Sequence, residues 1–128
     1  MTKQISVVID SEKWIKENNN YMNIDPQYKT FFPDDCFIAR GTGRENKELL
    51  AERGIDLEYE GSGETVKCFL ELRDSGKFRP SDRGAIKSFY RFTNATVGDK
   101  IEFTQISPRK FKVTLVVANK IISSVSAK

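Results

Sequence analysis

Histidine is absent from all 128 residues. That absence excludes Ser–His–Asp triads, histidine-ligated metal nucleases and zinc proteases of the HExxH type. Cysteine is nearly absent, with Cys36 and Cys68 the only two. Two thiols without histidine do not build the usual four-ligand structural zinc site. Both lie in apolar stretches, which predicts reduced, buried thiols in an intracellular protein rather than a disulfide. No apolar run approaches the ~18 residues that read as a membrane span. The N-terminal "MTKQISVVIDSEKW" has neither a long apolar region nor a small-residue cleavage site. The expected location is the cytoplasm, with no secretory signal and no membrane contact. Any chemistry would fall to carboxylate, lysine, serine or tyrosine.

What is present is ordinary for a globular domain: 38% hydrophobic and 30% charged residues. The length fits one domain and permits one real core. The net charge of +3 is mild, so only clustering of the positive charges would argue for a polyanionic partner.

Along the chain, "QISVVID" (4–10) alternates Ile5, Val7 and Ile9 and predicts a strand. The stretch 11–30 is polar and Asn-rich. Ser11 can cap a short helix through Trp14 and Ile15, while the three asparagines 18–20 favour a loop. "FFPDDCFIARG" (31–41) is an apolar segment broken by Pro33. "ENKELLAERG" (45–54) predicts a short helix with Leu49 and Leu50 inside and Gly54 as its C-terminal cap. The period then changes to two. "IDLEYE" (55–60) and "TVKCFLELR" (65–73) each predict one strand, joined by "GSG" (61–63) as a hairpin turn. "DKIEFTQI" (99–106) and "FKVTLVVAN" (111–119) predict a second hairpin around "SPRK". Several short strands with two or three short helices indicate a mostly β domain, closed or half-open as a barrel. A single domain over 1–119 is expected, followed by a small polar tail over 120–128 that should fray.

The segment "GKFRPSDRGAIKSFYR" (76–91) asks for two environments at once. It holds Lys77, Arg79, Arg83, Lys87 and Arg91 against a single acid, Asp82, yet also Phe78, Ile86, Phe89 and Tyr90. Residues 76–82 contain Gly76 and Pro80 and predict a loop. Ser81 or Asp82 can cap the helix that follows. In that helix Ala85, Ile86, Phe89 and Tyr90 fall on one arc at 100° per residue. Arg83, Lys87 and Arg91, spaced by four, form a ridge beside it. One side then plugs a core while the loop and ridge project charge. A solvated helix face is the plain alternative. Against it stands the crowding: clustered, unneutralised cations repel, and a polyanion relieves that repulsion. "RGTGR" (40–44) adds Arg40 and Arg44 with two glycines. It lacks the Gly-Lys-Ser/Thr ending of a P-loop, so it reads as a plain turn or a backbone phosphate contact.

The run "FRPSDRG" (78–84), "AIKSFYRFTNATVGDKIEF" (85–103) and "FKVTLV" (111–116) resembles the second half of a B3-like DNA-binding domain. This family occurs in plant transcription factors and in recognition domains of some bacterial restriction endonucleases. "VGDKIEF" (97–103) is similar to the family's helix-to-strand Gly-Asp turn, and "FFPDDCFIARG" (31–41) to the Phe-Pro segment of the restriction-type branch. The resemblance covers roughly 31–117. It implies a seven-stranded open pseudobarrel that grips double-stranded DNA with an N-arm and a C-arm in the major groove. It also implies a prokaryotic, intracellular setting, with cleavage in another domain or subunit and no chemistry, metal or cofactor in this chain.

By this resemblance the C-arm is 74–84, with Lys77, Arg79, Ser81, Asp82 and Arg83 as candidate contacts. The N-arm is placed over 11–23, with Lys13, Trp14, Lys16, Asn18, Asn19, Asn20 and Tyr21. Asn pairs bidentately with adenine and Arg or Lys with guanine, so these residue types suit base reading. An ordinary flexible loop is the alternative for the asparagine run. Arg40, Arg44, Lys87 and Arg91 are the candidate phosphate contacts.

Two rival readings remain at this point. Pro33-Asp34 followed by Glu45-Asn46-Lys47 matches the PD…(D/E)xK pattern of metal-dependent nucleases. That site needs converging carboxylates at Mg²⁺, whereas Glu45 and Asn46 read more simply as helix-cap residues. A PUA-like reader of RNA or of modified bases would also be small, basic and mostly β. It would need a deep aromatic pocket, which exposed faces of Trp14, Tyr21 and Tyr28 could line.

Overall fold

The computed structural model describes residues 3–16, 18–41 and 46–118. Within them the chain forms β1 (Gln4–Val8), β2 (Phe37–Ala39), α1 (Lys47–Arg53), β3 (Ile55–Tyr59), β4 (Thr65–Cys68), β5 (Leu70–Leu72), β6 (Phe78–Pro80), α2 (Arg83–Thr93), β7 (Lys100–Ser107) and β8 (Lys110–Val116). Three single 3₁₀ turns, Glu12–Trp14, Pro26–Phe31 and Asp34–Cys36, carry the chain from β1 to β2. Arg44, Glu45 and the tail 120–128 lie outside the described residues.

The strands make two mixed sheets: five strands in the order β1-β7-β8-β3-β4 and three in the order β2-β5-β6. The expected mostly β architecture with short helices is what forms, and the described strands do not close into one barrel. "TVKCFLELR" is not one strand, however. It breaks at Phe69, with β4 in the larger sheet and β5 in the smaller. Phe69 donates its N–H to Ser81 Oγ at 3.1 Å and accepts from Ser81 N at 2.9 Å. Those bonds satisfy the main chain where it leaves one sheet for the other. Eight strands therefore form where seven were expected.

Alternation places the core. Ile55, Leu57 and Tyr59 are buried on β3 while Asp56 and Glu58 face out. Phe32, Phe78, Phe103 and Phe111 meet at ring separations of 4.9 to 5.9 Å between the sheets. The helix α2 plugs the structure as its arc predicts: Ala85, Ile86, Phe89 and Tyr90 are its buried residues. Asp82 Oδ1 accepts from Ala85 N as the N-cap, and Asn94 ends the helix in the left-handed region.

Two further local expectations need correction. Residues 78–80 are a strand, not loop, because Phe78 and Pro80 are buried against β5 while Arg79 points away. Pro80 is tolerated because β6 is an edge strand. Leu49 and Leu50 are only half-buried, so α1 lies on the surface. Gly54 does cap α1, but at φ −67 it is not left-handed. Its need is space, since a Cβ there would sit 2.5 Å from the Leu50 carbonyl oxygen. At the β3–β4 turn, by contrast, Gly61 and Gly63 hold φ of 104 and 77, which other residues rarely adopt.

The Gly-Asp turn earns its residues physically. Buried Asp99 accepts from Thr96 N, Thr96 Oγ1 and Ala118 N, and the turn's main chain bonds Ile9 in both directions. It thereby ties the exit of β1 to the start of β7.

Cys36 and Cys68 are both free and buried, and burial pushes each thiol from 9.0 to about 12. Folded thiols thus stay protonated where unfolded ones ionise. Their contribution to stability is complete below pH 9 and is lost as pH rises toward 12. Both thiols should react with a thiol reagent only at the rate of unfolding. Fast labelling of either in the folded protein, read by mass spectrometry, contradicts this packing.

Candidate nucleic-acid interface

The expected C-arm, 74–84, takes in the tip of the β5–β6 hairpin, β6 itself and the first residues of α2. In the hairpin's register Leu70 faces Pro80, Glu71 faces Arg79 and Leu72 faces Phe78. Apolar members turn inward, so Glu71 and Arg79 share the outer face. The tip closes through Arg73 N to Lys77 O and Gly76 N to Arg73 O, both at 2.9 Å, with Gly76 at φ 89. Arg73 donates to Glu71 at 2.8 Å. The strand β2 runs parallel to β5 with Ala39 opposite Leu72. Arg40 therefore leaves the sheet at the same end as Arg73, beside the arm tip.

The segment expected as the N-arm, 11–23, is hydrogen-bonded within itself and, through its neighbour Ile24, to β6. Ser11 caps the 3₁₀ turn through Lys13 N, Asn19 Nδ2 donates to the Lys13 carbonyl at 2.9 Å, and Tyr21 N donates to Trp14 O. Ile24 and Phe78 exchange both main-chain hydrogen bonds, at 2.9 and 3.1 Å. Tyr90 on α2 donates its hydroxyl to the Tyr21 carbonyl at 2.7 Å.

These contacts bring two predicted residues of different arms together. The Arg79 guanidinium lies over the Tyr21 ring, 3.8 Å from its centroid. Its Nε donates to Asn23 Oδ1 at 2.7 Å. On α2, Lys87 and Arg91 line a cleft of about 260 Å³ together with Asn20 and Ile15. The residues around Tyr21 thus sit between Arg79 on one side and the Lys87–Arg91 ridge on the other. Arg83 begins the same helix. Lys13, Lys16 and Asn18 are exposed on the turn itself.

Two predicted contacts withdraw from the surface. Trp14 is 3% exposed and packs against Tyr21 in a tilted arrangement, ring centroids 6.1 Å apart, so it supports the Tyr21 ring from the core. Asn20 is 7% exposed at φ 48, a backbone that asparagine tolerates better than most residues. Ser81 and Asp82 are half-buried and use their side-chain oxygens on Phe69 N and Ala85 N, so they hold the arm's base. Arg44 lies outside the described residues.

Ion pairs are more numerous on the larger sheet than on this face. On the larger sheet Lys67 pairs with Asp56, Lys110 with Glu58 and Lys112 with Glu60, while exposed Lys100 on β7 has no ion pair among the described residues. Among the described residues, Lys77, Arg79, Arg83 and Lys87 have no ion pair. The Arg79 guanidinium is held below its ordinary value by burial first, then by repulsion from Arg73 and Arg83, with Tyr21 and Glu71 opposing. Three arginines therefore crowd one another closely enough to feel it.

The rival sites fall only partly within the described residues. Arg109 grips Asp35 at 2.6 and 2.7 Å and also donates to the carbonyl of Arg53, the last residue of α1. Glu45 lies outside the described residues, among which no cluster of three or more metal-ligating side chains occurs. Of the three aromatics, Trp14 is buried, the Tyr21 ring is covered by Arg79, and Tyr28 is half-buried.

No protein-family model matches the chain, and no curated protein matches it. Solved structures that share its fold include the following two. The N-terminal domain of Helicobacter pylori LlaJI.R1 superposes with a TM-score of 0.56 at 13% identity, covering 98% of this chain and 99% of that one. The hypothetical Arabidopsis thaliana protein At1g16640.1 superposes at 0.54 with 18% identity, covering 93% and 94%.

Sequence reasoning missed Asn23 and Arg73. Alternation through Glu71, Arg73, Lys77 and Arg79 would have put Arg73 on the arm's outer face; nothing local marks Asn23.

Trp14 is the only tryptophan. Its emission should be that of a buried indole, and adding duplex DNA should leave its quenching by iodide unchanged. Protection on adding duplex would instead put Trp14 at the contact surface.

Proposed function

We propose that this protein binds double-stranded DNA sequence-specifically, with its two joined arms in the major groove. It would be the target-recognition part of a restriction system of the B3-like kind. The observation that carries the proposal is the cluster of cations without an ion pair, Lys77, Arg79, Arg83 and Lys87, on the arm face, whereas on the larger sheet Lys67, Lys110 and Lys112 each have a carboxylate. The fold shared with the N-terminal domain of LlaJI.R1 supports it, as does the sequence resemblance of 31–117. Tyr21, Asn23 and Arg79 form the candidate reading centre. Lys87, Arg91, Arg83 and Arg40 are the candidate phosphate contacts, which set register without specifying sequence. The reading assigns no chemistry to this chain and places cleavage in another domain or subunit.

Selection of bound duplexes from a random pool, followed by sequencing, tests the proposal. A single enriched motif is expected, and a pool that stays random contradicts sequence reading. Arg79→Ala should weaken the enriched duplex by about 1–3 kcal/mol, the value of a bidentate arginine–guanine pair, and leave scrambled duplex nearly unaffected. Equal losses on both would make the arm a phosphate grip.

Affinity should fall with salt at a log–log slope of about 0.9 per neutralised phosphate. Lys87→Ala should lower that slope by about one and weaken all duplexes alike; an unchanged slope would make the ridge a solvated face. With Mg²⁺ or Mn²⁺ the protein should leave plasmid DNA intact. Cleavage that disappears in Asp34→Ala and Glu45→Ala would establish the nuclease reading instead.

A further inference from the structure

Arginine has five N–H donors in a flat fork, and two different pairs of them can grip two adjacent acceptors. One pair is Nε with one terminal nitrogen; the other is the two terminal nitrogens. In this protein the first pair is already occupied. Nε of Arg79 donates to Asn23 Oδ1 at 2.7 Å, and one face of the guanidinium lies 3.8 Å from the Tyr21 ring centroid. Among the described residues no hydrogen bond or ion pair engages the two terminal nitrogens.

The two neighbours are themselves fixed. Asn23 sits between Met22 and Ile24, both 0% exposed, so its backbone is anchored on either side. Ile24 is locked to Phe78, the residue before Arg79, by both main-chain bonds. Tyr21 rests on buried Trp14 and its carbonyl is held by Tyr90, which is 5% exposed. A guanidinium held at Nε and on one face loses little further freedom when its free end meets a ligand.

We infer that Tyr21 and Asn23 are positioning residues that aim the terminal nitrogens of Arg79 at two adjacent acceptors on a guanine edge, so the contact is end-on. The inference rests on the DNA-reading function proposed above. Guanine follows from the donor set: in the major groove only its O6 and N7 offer two neighbouring acceptors, whereas adenine pairs its N7 with a donor. A phosphate also offers two acceptors and is the competing ligand for the same pair.

The probe is the duplex enriched from the random pool, remade with 7-deazaguanine at each guanine in turn, which removes N7 and keeps base pairing. Wild-type protein should lose about 5- to 150-fold at one guanine, the equivalent of about 1–3 kcal/mol. Arg79→Ala should abolish that penalty. Tyr21→Leu and Asn23→Leu should shrink it several-fold without changing the salt slope, while Tyr21→Phe and Asn23→Asp should keep it. A penalty unchanged in both leucine variants, with affinity lost equally on all duplexes, would make the two residues merely structural. No penalty at any guanine in wild type, with affinity still dependent on Arg79, would assign the terminal nitrogens to phosphate. In the free wild-type protein the Arg79 Nε–H should give a slowly exchanging, ring-current-shifted NMR signal. An ordinary fast-exchanging signal overturns the positioning whatever the DNA result. A protected signal with no duplex enriched overturns the DNA reading on which the inference stands.

Discussion

The two main-chain hydrogen bonds between Ile24 and Phe78 fasten the long segment after β1 to the edge strand β6. Each residue is fully buried, so the bonds form away from water, where an unpaired main-chain group is costly. Everything distinctive about the arm face follows from this junction. It sets Asn23 beside Arg79 and brings the Tyr21 ring under the guanidinium. It also leaves the Tyr21 carbonyl within reach of the Tyr90 hydroxyl on α2. Two segments more than fifty residues apart in sequence thereby act as one surface.

Charge follows the same geometry. The larger sheet exposes Asp56 and Glu58 on β3, and Lys67 and Lys110 on the neighbouring strands pair with them, as Lys112 does with Glu60. The smaller sheet and α2 expose Lys77, Arg79, Arg83 and Lys87 without such partners, and Glu71 answers Arg73 alone among the ion pairs on that face. The modest total of +3 hides this asymmetry, which concentrates positive potential where a polyanion can relieve it.

Legibility in the sequence divided along a physical line. Elements whose burial repeats with their own period were readable: Ile55, Leu57 and Tyr59 on a strand, Ala85, Ile86, Phe89 and Tyr90 on a helix. The corner at Phe69 was not, because alternation through 65–72 continues across it and only the distant Ser81 satisfies its main chain. Residues 78–80 were misread because Gly76 and Pro80 announce a turn, whereas an edge strand accepts proline. Within the site, the basic content of 77–91 was plain from composition. The burial of Trp14 and Asn20 was not, nor was the grip of Asn23 on Arg79. Each depends on contacts made far along the chain, which no local pattern encodes.

The central claim is that one face, built from both arms and the α2 ridge, meets DNA. It is tested most directly by amide chemical-shift mapping of the labelled protein titrated with mixed-sequence duplex at low salt. The account predicts shifts concentrated at Asn19–Asn23, Arg73–Arg79, Arg83 and Lys87. The amides of Asp56, Glu58, Lys67, Lys110 and Lys112 should stay in place. Shifts concentrated on that second group, with the arms silent, would contradict it.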